Sequence, residues 1–265
     1  MRMRYLLPLL ALLLAAGGAS GGSKKSEKSD TVFQTSTIGA LMAGVYDGEM
    51  TFEALRRRGD FGLGTFNALD GEMVALDGRF FQVRTDGRAY PVPDSARTPF
   101  TVVKHFRADR TLTVRDASTL KELEQMLDRA IPSPNVTSAI RIEGRFRQLT
   151  TRSVPRQSKP YPSLPEAAKQ QTTFQFEEVE GVMVGFRTPE YLSGVNVPGY
   201  HFHFLTADRK AGGHVLACNV EQATAQLDTA LAVELVLPGT AEFGRANLTG
   251  QSQEALDRVE RSGDR

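Results

Sequence analysis

Three histidines lie within one short stretch of this sequence, and three imidazoles are enough to hold a metal ion. The chain has four histidines in all, and His201, His203 and His214 are three of them. The aromatic and aliphatic residues around the first two predict a β-strand. Side chains alternate between the faces of a strand, so His201 and His203 point the same way, roughly 6–7 Å apart along the chain. Three histidines with an open fourth position form a common catalytic zinc site.

The register of the predicted hairpin decides whether His214 joins the other two histidines. Residues 207–211 read as the hairpin tip, and the two glycines that follow allow a bulge. Opposed residues in an antiparallel pair share a face, and their numbers have a constant sum. A sum of 417 places His214 opposite His203, a sum of 415 places it opposite His201, and any even sum turns it to the other face. The competing interpretation is an ordinary polar face of a strand.

The single cysteine, Cys218, excludes an intramolecular disulfide. Simple alternation along the strand that begins near His214 places Cys218 on the histidine face, where it is a candidate fourth ligand. The simpler interpretation is a small buried hydrophobic residue, because free cysteine commonly packs as one.

Two charged residues elsewhere suit the chemistry of such a metal site. A metal held by neutral histidines keeps its full positive charge, which favours Lewis-acid chemistry on an oxygen-rich anion. That chemistry needs a carboxyl group to move protons and an arginine to hold a substrate carboxylate. Glu72 enters an apolar strand and Arg152 precedes a proline-rich segment, so both are candidates. From spacing alone, the simpler interpretation of each is a surface residue.

The elements that would position these residues are mostly short strands. Apolar and alternating runs predict strands at residues 61–66, 72–76, 79–83, 101–106, 110–114, 139–146, 172–176 and 181–186. Helices are predicted at residues 36–46, 51–57 and 118–130, the last with Ser118 as its cap. Residues 221–237 read as helix or strand, and residues 253–265 as a charged tail or a last short helix. Many strands with few helices indicate a mixed α/β or α+β fold.

Length and composition favour one large domain or two small ones. The chain has 265 residues, of which 40% are hydrophobic. Residues 153–165 form a proline-rich crossing, which we take as the boundary between an N-terminal α/β domain (31–160) and a C-terminal domain (161–265) with the metal-binding hairpin and the tail. The net charge of +1 gives no electrostatic reason to expect binding to nucleic acid or to an anionic membrane surface.

The first residues have the pattern of a targeting segment. Residues 1–20 combine a basic start, an apolar run and small residues suited to cleavage, which predicts a signal peptide. The polar, lysine-rich residues 21–30 predict a disordered spacer. The apolar run is too short to span a bilayer comfortably. We therefore expect an exported protein, periplasmic or extracellular, without membrane attachment after cleavage.

Several stretches in a fixed order resemble one family. They include Gly-Val-Tyr-Asp-Gly at 44–48, Gly-Leu-Gly-Thr-Phe-Asn-Ala-Leu-Asp-Gly-Glu-Met at 62–73, Thr-Arg-Ser-Val-Pro at 151–155 and Gly-Tyr-His-Phe-His-Phe at 199–204. From about residue 33 to residue 260 the chain resembles the bacterial alpha-acetolactate decarboxylases. The resemblance implies two α/β domains, each built around a mixed β-sheet, and a homodimer. It also implies zinc on the three histidines of the hairpin.

The resemblance assigns further site residues. It implies that Glu72 and Arg152 face the metal and the substrate, with Thr65 nearby. It also implies a glutamate from the C-terminal tail, for which Glu260 fits best and Glu254 competes. The implied reaction is decarboxylation of 2-acetolactate to acetoin, through an enediolate that the metal stabilises by an amount on the order of several kcal/mol. A glutamate would then deliver a proton to one face.

The sequence allows two other interpretations of the function. One is a different exported three-histidine metalloenzyme, either one that acts on another hydroxy or keto acid or one on a β scaffold such as a cupin-like oxygenase or a carbonic-anhydrase-like hydratase. Cupins usually place a glutamate shortly after His-x-His, and residues 204–207 contain none. The other is a non-enzymatic metal-binding protein, which would be expected to carry flexible histidine runs that this sequence lacks.

Overall fold

The structure, a computed structural model, describes residues 30–249 and 252–260. Short elements come first: β1 (Thr31–Thr35), α1 (Ile38–Met42), β2 (Met50–Thr51), α2 (Phe52–Arg56), β3 (Phe61–Thr65), β4 (Glu72–Leu76), β5 (Arg79–Val83), β6 (Ala89–Pro91), β7 (Arg97–Thr98) and β8 (Thr101–Lys104). The remaining elements are β9 (Arg110–Ala117), α3 (Leu120–Asp128), β10 (Thr137–Ser153), α4 (Leu164–Ala168), β11 (Thr172–Thr188), β12 (Gly199–Thr206), β13 (Gly212–Ala230), β14 (Ala232–Val236), α5 (Ala241–Arg245) and α6 (Gln253–Glu260).

Some parts of the chain lie outside this description. The predicted signal peptide (1–20) and all but the last residue of the predicted spacer (21–30) are outside the described residues. Within residues 30–249 and 252–260, no helix is long and apolar enough to cross a membrane.

Two main β-sheets form the fold of the described part of the chain. The seven-stranded sheet has the order β14-β1-β8-β3-β4-β5-β6 and is mixed, because β1 pairs with β14 in parallel and with β8 antiparallel. The five-stranded sheet has the order β10-β11-β12-β13-β9, and its pairs are antiparallel. Strand β10 also pairs with β13, so the strands β10 to β13 close on themselves. The predicted mixed α/β fold class is confirmed.

The proline-rich segment after β10 joins the two sheets rather than separating them. The Gly71 N–H donates to the Val154 carbonyl at 3.1 Å, and the Gln157 N–H donates to the Ala68 carbonyl at 2.7 Å. The chain changes from one sheet to the other between β8 and β9, and returns between β13 and β14. The predicted boundary at residue 160 therefore does not coincide with the change of sheet.

Among residues 30–249 and 252–260, three clusters of buried hydrophobic side chains hold the elements together. The largest contains residues from both sheets and from α1, α4 and α6. A second lies between the five-stranded sheet and α3, where Leu123 and Leu127 are fully buried. The third packs Phe52 and Leu55 of α2 against the other face of the seven-stranded sheet. The largest cluster thus places α1, α4 and α6 around the region between the sheets.

Some predicted limits of helices are wrong. Helix α1 ends at Met42, earlier than predicted, because Gly44 has a positive φ of 83° and a Cβ there would lie 2.8 Å from the Pro162 carbonyl oxygen. Glycine is the residue that tolerates this conformation, so the chain leaves the helix at that point. Thr119, rather than Ser118, caps α3 by accepting the N–H of its third residue.

The long strands were predicted only in fragments. Residues 172–176 and 181–186 belong to one strand, β11, and the ambiguous region 221–237 is strand rather than helix. The residues between the two predicted fragments, 177–180, are mostly charged, but they pair with residues 145–148 of β10, where exposed side chains flank the buried Phe146. The predicted last helix is present as α6 and reaches Glu260; residues 261–265 lie beyond the described part of the chain.

Candidate active site

The hairpin of β12 and β13 brings the three histidines to one point. His203 lies directly opposite His214, which is the odd register with a sum of 417, so all three side chains share a face. The His201 Nε2 atom lies 3.2 Å from His203 Nε2 and 3.1 Å from His214 Nδ1. All three rings are buried. In the described part of the chain they form a group whose ligand nitrogens lie within 4.8 Å of one another.

The spacing of these nitrogens fits a tetrahedral metal ion. Ligands at the ~2.0–2.1 Å distance of zinc–nitrogen bonds lie roughly 3.3 Å from one another around a tetrahedral centre. Without a metal, His201 Nε2 could donate a hydrogen bond to only one of the two nitrogens that face it, His203 Nε2 and His214 Nδ1. The lone pair of the other nitrogen would then be buried without a hydrogen-bond donor. A cation between the three nitrogens interacts with all of them. The donor set therefore fits a metal better than it fits a hydrogen-bonded cluster.

Main-chain carbonyls fix the orientation of two of the rings. His203 Nδ1 lies 2.8 Å from the Met73 carbonyl oxygen, and His214 Nε2 lies 3.0 Å from the Glu260 carbonyl oxygen. A carbonyl can only accept, so these two nitrogens carry the hydrogens and the inward nitrogens keep their lone pairs. Hydrogen bonds of this kind are typical of metal-binding histidines. His201 Nδ1 is buried and has no hydrogen-bond partner among the described residues.

Burial keeps the three imidazoles neutral. Desolvation lowers the pKa of His201 to about 3, and the nearby cation of Arg152 adds to this effect. Desolvation likewise holds the pKa values of His203 and His214 well below the usual histidine value. Because a metal binds the neutral form of imidazole, these rings are suitable ligands at neutral pH.

Three strands place Thr65, Glu72 and Arg152 beside the histidines. Glu72 lies opposite Thr65 in the β3–β4 pair, and Arg152 lies opposite His214 in the β10–β13 pair. The Arg152 Nη1 group donates to Glu72 Oε1 at 2.7 Å. The Thr65 hydroxyl donates to the Gly71 carbonyl at 2.7 Å, which holds the turn between its own strand and that of Glu72. All three side chains line the cavity that the histidines face.

Glu72 is a buried carboxyl group with an altered proton affinity. Desolvation raises the pKa of Glu72 to about 7, against the lowering effect of the Arg152 cation, and the neighbouring Glu260 carboxylate raises it further. Glu72 Oε2 lies 3.6 Å from His203 Nε2. A carboxyl group with a pKa near neutral can both hold and release a proton at physiological pH.

The C-terminal helix supplies a second carboxylate. Glu260 Oε2 lies 3.4 Å from His201 Nε2, and Glu260 Oε1 lies 3.9 Å from Arg152 Nη2. The competing candidate, Glu254, is exposed and pairs with Arg258 at 2.6 Å on the far side of the helix. The structure therefore brings Glu260 to the histidines and leaves Glu254 on the surface.

Cys218 is not on the histidine face, so that part of the prediction is wrong. In the β10–β13 pair Thr151 lies opposite Val215, whereas Thr150 lies opposite Ala217, so β13 has one extra residue between them. A bulge of this kind reverses the alternation of the residues that follow it. Cys218 consequently packs with Val215 in the hydrophobic cluster on the α3 side.

The sequence reasoning missed the apolar half of the cavity and the two carbonyl groups that orient histidines. The apolar lining consists of Ile38, Leu41, Leu69, Phe100, Val154 and Leu164. The spacing of Ile38 and Leu41 in a predicted helix could have indicated a shared face. Main-chain carbonyls leave no signal in the residue types of a sequence.

Comparison with known proteins identifies the family. The family model for alpha-acetolactate decarboxylase matches residues 32–250, which is most of the chain. The protein belongs to this family. It is 49% identical over 233 residues to alpha-acetolactate decarboxylase from Methanosarcina mazei, covering 88% of this chain and 81% of the relative. It is also 49% identical over 229 residues to that from Methylococcus capsulatus, covering 86% and 88% of the two chains.

The fold agrees with a solved structure from the family. The crystal structure of alpha-acetolactate decarboxylase from Bacillus subtilis strain 168 superposes with a TM-score of 0.85 at 40% sequence identity, covering 87% of this chain and 99% of that chain. Family members named alpha-acetolactate decarboxylase are carboxy-lyases. The protein is therefore an enzyme of this class.

Proposed function

We propose that this protein is a zinc-dependent acetolactate decarboxylase that converts 2-acetolactate into acetoin and CO₂. One observation carries the proposal: three buried imidazoles converge beside Arg152, whose guanidinium lies between the carboxylates of Glu72 and Glu260. The reaction needs a Lewis acid, a cation for the substrate carboxylate and a group that delivers a proton. The activity for which the relatives are named, alpha-acetolactate decarboxylase, supports the choice of substrate.

His201, His203 and His214 would hold the zinc ion through their inward nitrogens. Three nitrogen ligands with a fourth position left for substrate are typical of catalytic zinc. When bound, zinc acts as a Lewis acid that stabilises negative charge on substrate oxygen atoms. The neutrality of the imidazoles leaves the positive charge of the ion undiminished.

Arg152 would hold the carboxylate that is lost as CO₂. One of its terminal nitrogens is bonded to Glu72, but its Nε atom is buried and has no hydrogen-bond partner among the described residues. Charge-assisted hydrogen bonds from a guanidinium to a carboxylate are among the stronger polar contacts in proteins.

Glu72 would supply the proton. Loss of CO₂ leaves an electron pair on the carbon that carried the carboxylate, and the neighbouring ketone takes up that pair until a proton is added to the same carbon. Glu72 Oε2 lies 3.6 Å from His203 Nε2, so this carboxyl group is placed to deliver the proton to a substrate bound beside the histidines. Glu260 reaches the site from a different element, α6. Delivery of the proton by only one of these two glutamates would therefore give a single enantiomer of acetoin.

The first test is acetoin formation from racemic acetolactate by the purified protein, with metal content measured by mass spectrometry. We expect activity that a chelator abolishes and zinc restores, with about one zinc ion per chain. Bound zinc without acetoin would keep the metal site and overturn the proposed substrate. Acetoin formation in metal-free protein would overturn the metal requirement.

A second test separates the two glutamates. We expect Glu72→Gln to reduce turnover strongly and to change the chirality of the acetoin, measured by chiral chromatography. Glu254→Gln serves as the matched control, because Glu254 lies on the surface of the helix that carries Glu260. Full turnover with unchanged chirality in Glu72→Gln would transfer the proton role to Glu260.

The proposed enzyme is an exported homodimer. Export follows from the predicted signal peptide at residues 1–20. Support for the dimer comes from β14, the outer strand of the seven-stranded sheet, where Val233 and Leu235 are partly exposed. The Ala232 N–H donates to the Asp30 carbonyl and the Val236 carbonyl accepts from the Ser36 N–H, on the side of β14 that faces β1. Because backbone groups alternate in direction along a strand, those of Val233 and Leu235 point to the open edge. A second copy of β14 could pair there.

A further inference from the structure

The metal centre depends on a helix that is far from it in the sequence. Helix α6 buries Leu256 and Val259 in the largest hydrophobic cluster, together with residues of α4. Its last residue, Glu260, enters the cavity that the histidines line. The two helices are direct neighbours in the fold. The position of Glu260 is therefore set by the packing of α6 on α4.

Glu260 contacts the histidines through two groups. Its carboxylate Oε2 lies 3.4 Å from His201 Nε2 and 3.8 Å from His214 Nε2, whereas its main-chain carbonyl lies closer to His214 Nε2, at 3.0 Å. The carbonyl fixes the hydrogen on Nε2 and so leaves the lone pair on Nδ1, the nitrogen that faces His201. An imidazole without such a partner can adopt the other tautomer or rotate, which removes the ligand atom from the metal.

The carbonyl that contacts His203 belongs to a sheet strand and not to α6. It is the Met73 carbonyl of β4, which pairs with β3 on one side and β5 on the other. A carbonyl inside a sheet keeps its position as long as the sheet is folded. The partner of His214 keeps its position only while α6 remains packed on α4.

We propose that the packing of α6 through Leu256 and Val259 orients His214 and strengthens metal binding, separately from the effect of the Glu260 carboxylate. Leu256 and Val259 are then positioning residues for the metal centre. This inference rests on the metal binding in the proposed function. Loss of an orienting partner of a metal-binding histidine typically weakens metal affinity by about 10–100-fold.

The test is a double-mutant cycle on zinc affinity, measured on the full chain by competition with a chromophoric chelator. The variants are Leu256→Ala, Glu260→Gln and the two combined. We expect Leu256→Ala to weaken zinc binding about 10–100-fold, and to weaken it further in the Glu260→Gln background, where the carbonyl is retained but the carboxylate charge is absent. No further loss in that background would show that α6 acts through the carboxylate alone and would overturn the inference.

Two controls separate positioning from general destabilisation. Glu254→Gln changes the exposed face of α6, and Leu123→Ala opens the separate cluster under α3, so both should bind zinc like the wild type. A loss of affinity in Leu123→Ala equal to that in Leu256→Ala would count against a specific role of α6. Nitrogen NMR of the metal-free protein gives an independent readout: His214 should carry its hydrogen on Nε2 in the wild type and lose this preference in Leu256→Ala.

The same experiment distinguishes failure of this inference from failure of the proposed function. Wild-type protein that binds no zinc would overturn the metal site itself, and the inference with it. Wild-type protein that binds zinc, with no effect of Leu256→Ala, would leave the proposed function intact and overturn only the role of α6.

Discussion

Gly213 is the position where one added methyl group should disturb both stability and the site. It precedes His214 and has a positive φ of 135°. A Cβ at this position would lie 2.6 Å from the Arg152 carbonyl oxygen and 3.0 Å from the Thr151 hydroxyl oxygen. The nearest obstacle is backbone, which cannot rotate away as a side chain can. The strands that carry His214 and Arg152 must therefore separate.

The expected cost of Gly213→Ala has two parts. A residue with a side chain in this region of φ costs about 1–3 kcal/mol, and forcing extra volume into a packed interior costs about 1–3 kcal/mol more, so we expect a loss of roughly 2–6 kcal/mol of unfolding free energy. Gly78 offers a matched control. It has a φ of 72°, but a Cβ there has no neighbour within 4 Å, so Gly78→Ala reports the conformational part alone.

The assay is urea unfolding of the metal-free protein, followed by circular dichroism, together with zinc affinity by chelator competition. We expect Gly213→Ala to lose more stability than Gly78→Ala and to bind zinc at least about tenfold more weakly, because a misplaced ligand weakens the site. Equal stabilities of the two variants, with wild-type zinc affinity in both, would refute the reasoning from the close approach of the two strands.

Four further predictions concern other parts of the molecule. His203→Ala removes one of the three ligands and should abolish zinc retention on dialysis; retained stoichiometric zinc would contradict the assignment. Arg152→Lys keeps the charge but loses the planar guanidinium that can donate two hydrogen bonds to a carboxylate, so KM for acetolactate should rise about 10–100-fold. An unchanged KM would show that the substrate carboxylate binds at another group. Lys104→Met removes the cation that lies 2.8 Å from Asp228 in a fully buried pair, and should cost roughly 3–5 kcal/mol in urea unfolding; a neutral effect would show that the remaining partners of Asp228 suffice. Leu235→Lys places a charge at the open edge of β14 and should make the proposed dimer monomeric, measured by light scattering, whereas a persistent dimer would show that the contact lies outside β14.

The histidine hairpin could be predicted because strand geometry is strictly periodic. Once His201 and His203 are placed on one strand, only the parity of the turn remains to be decided, and the observed register is odd. The same periodicity failed for Cys218, because one extra residue in β13 reverses the alternation. A bulge depends on how two strands meet, and neither strand contains that information alone.

The contacts between distant elements were beyond the reach of local patterns. Glu72 and Arg152 are 80 positions apart, and spacing alone assigned both to the surface. The resemblance to a family, and not their spacing, indicated that they meet. The division predicted at residue 160 rests on composition alone, whereas the proline-rich segment bonds through Val154 and Gln157 to the loop that follows β3. Composition identifies the irregular segment without showing what it packs against.

The parallel pairing of β1 with β14 has a consequence for synthesis of the chain. Thr31 pairs with Ala232, 201 positions later, so the seven-stranded sheet cannot be completed until almost the whole protein has left the ribosome. Contacts this far apart in sequence slow folding, because a long loop must close before they form. A nascent or prematurely terminated chain would meanwhile present the free edge of β1, with its row of unpaired backbone groups, to other chains. We therefore expect chaperones to protect the edge of β1 until β14 pairs with it.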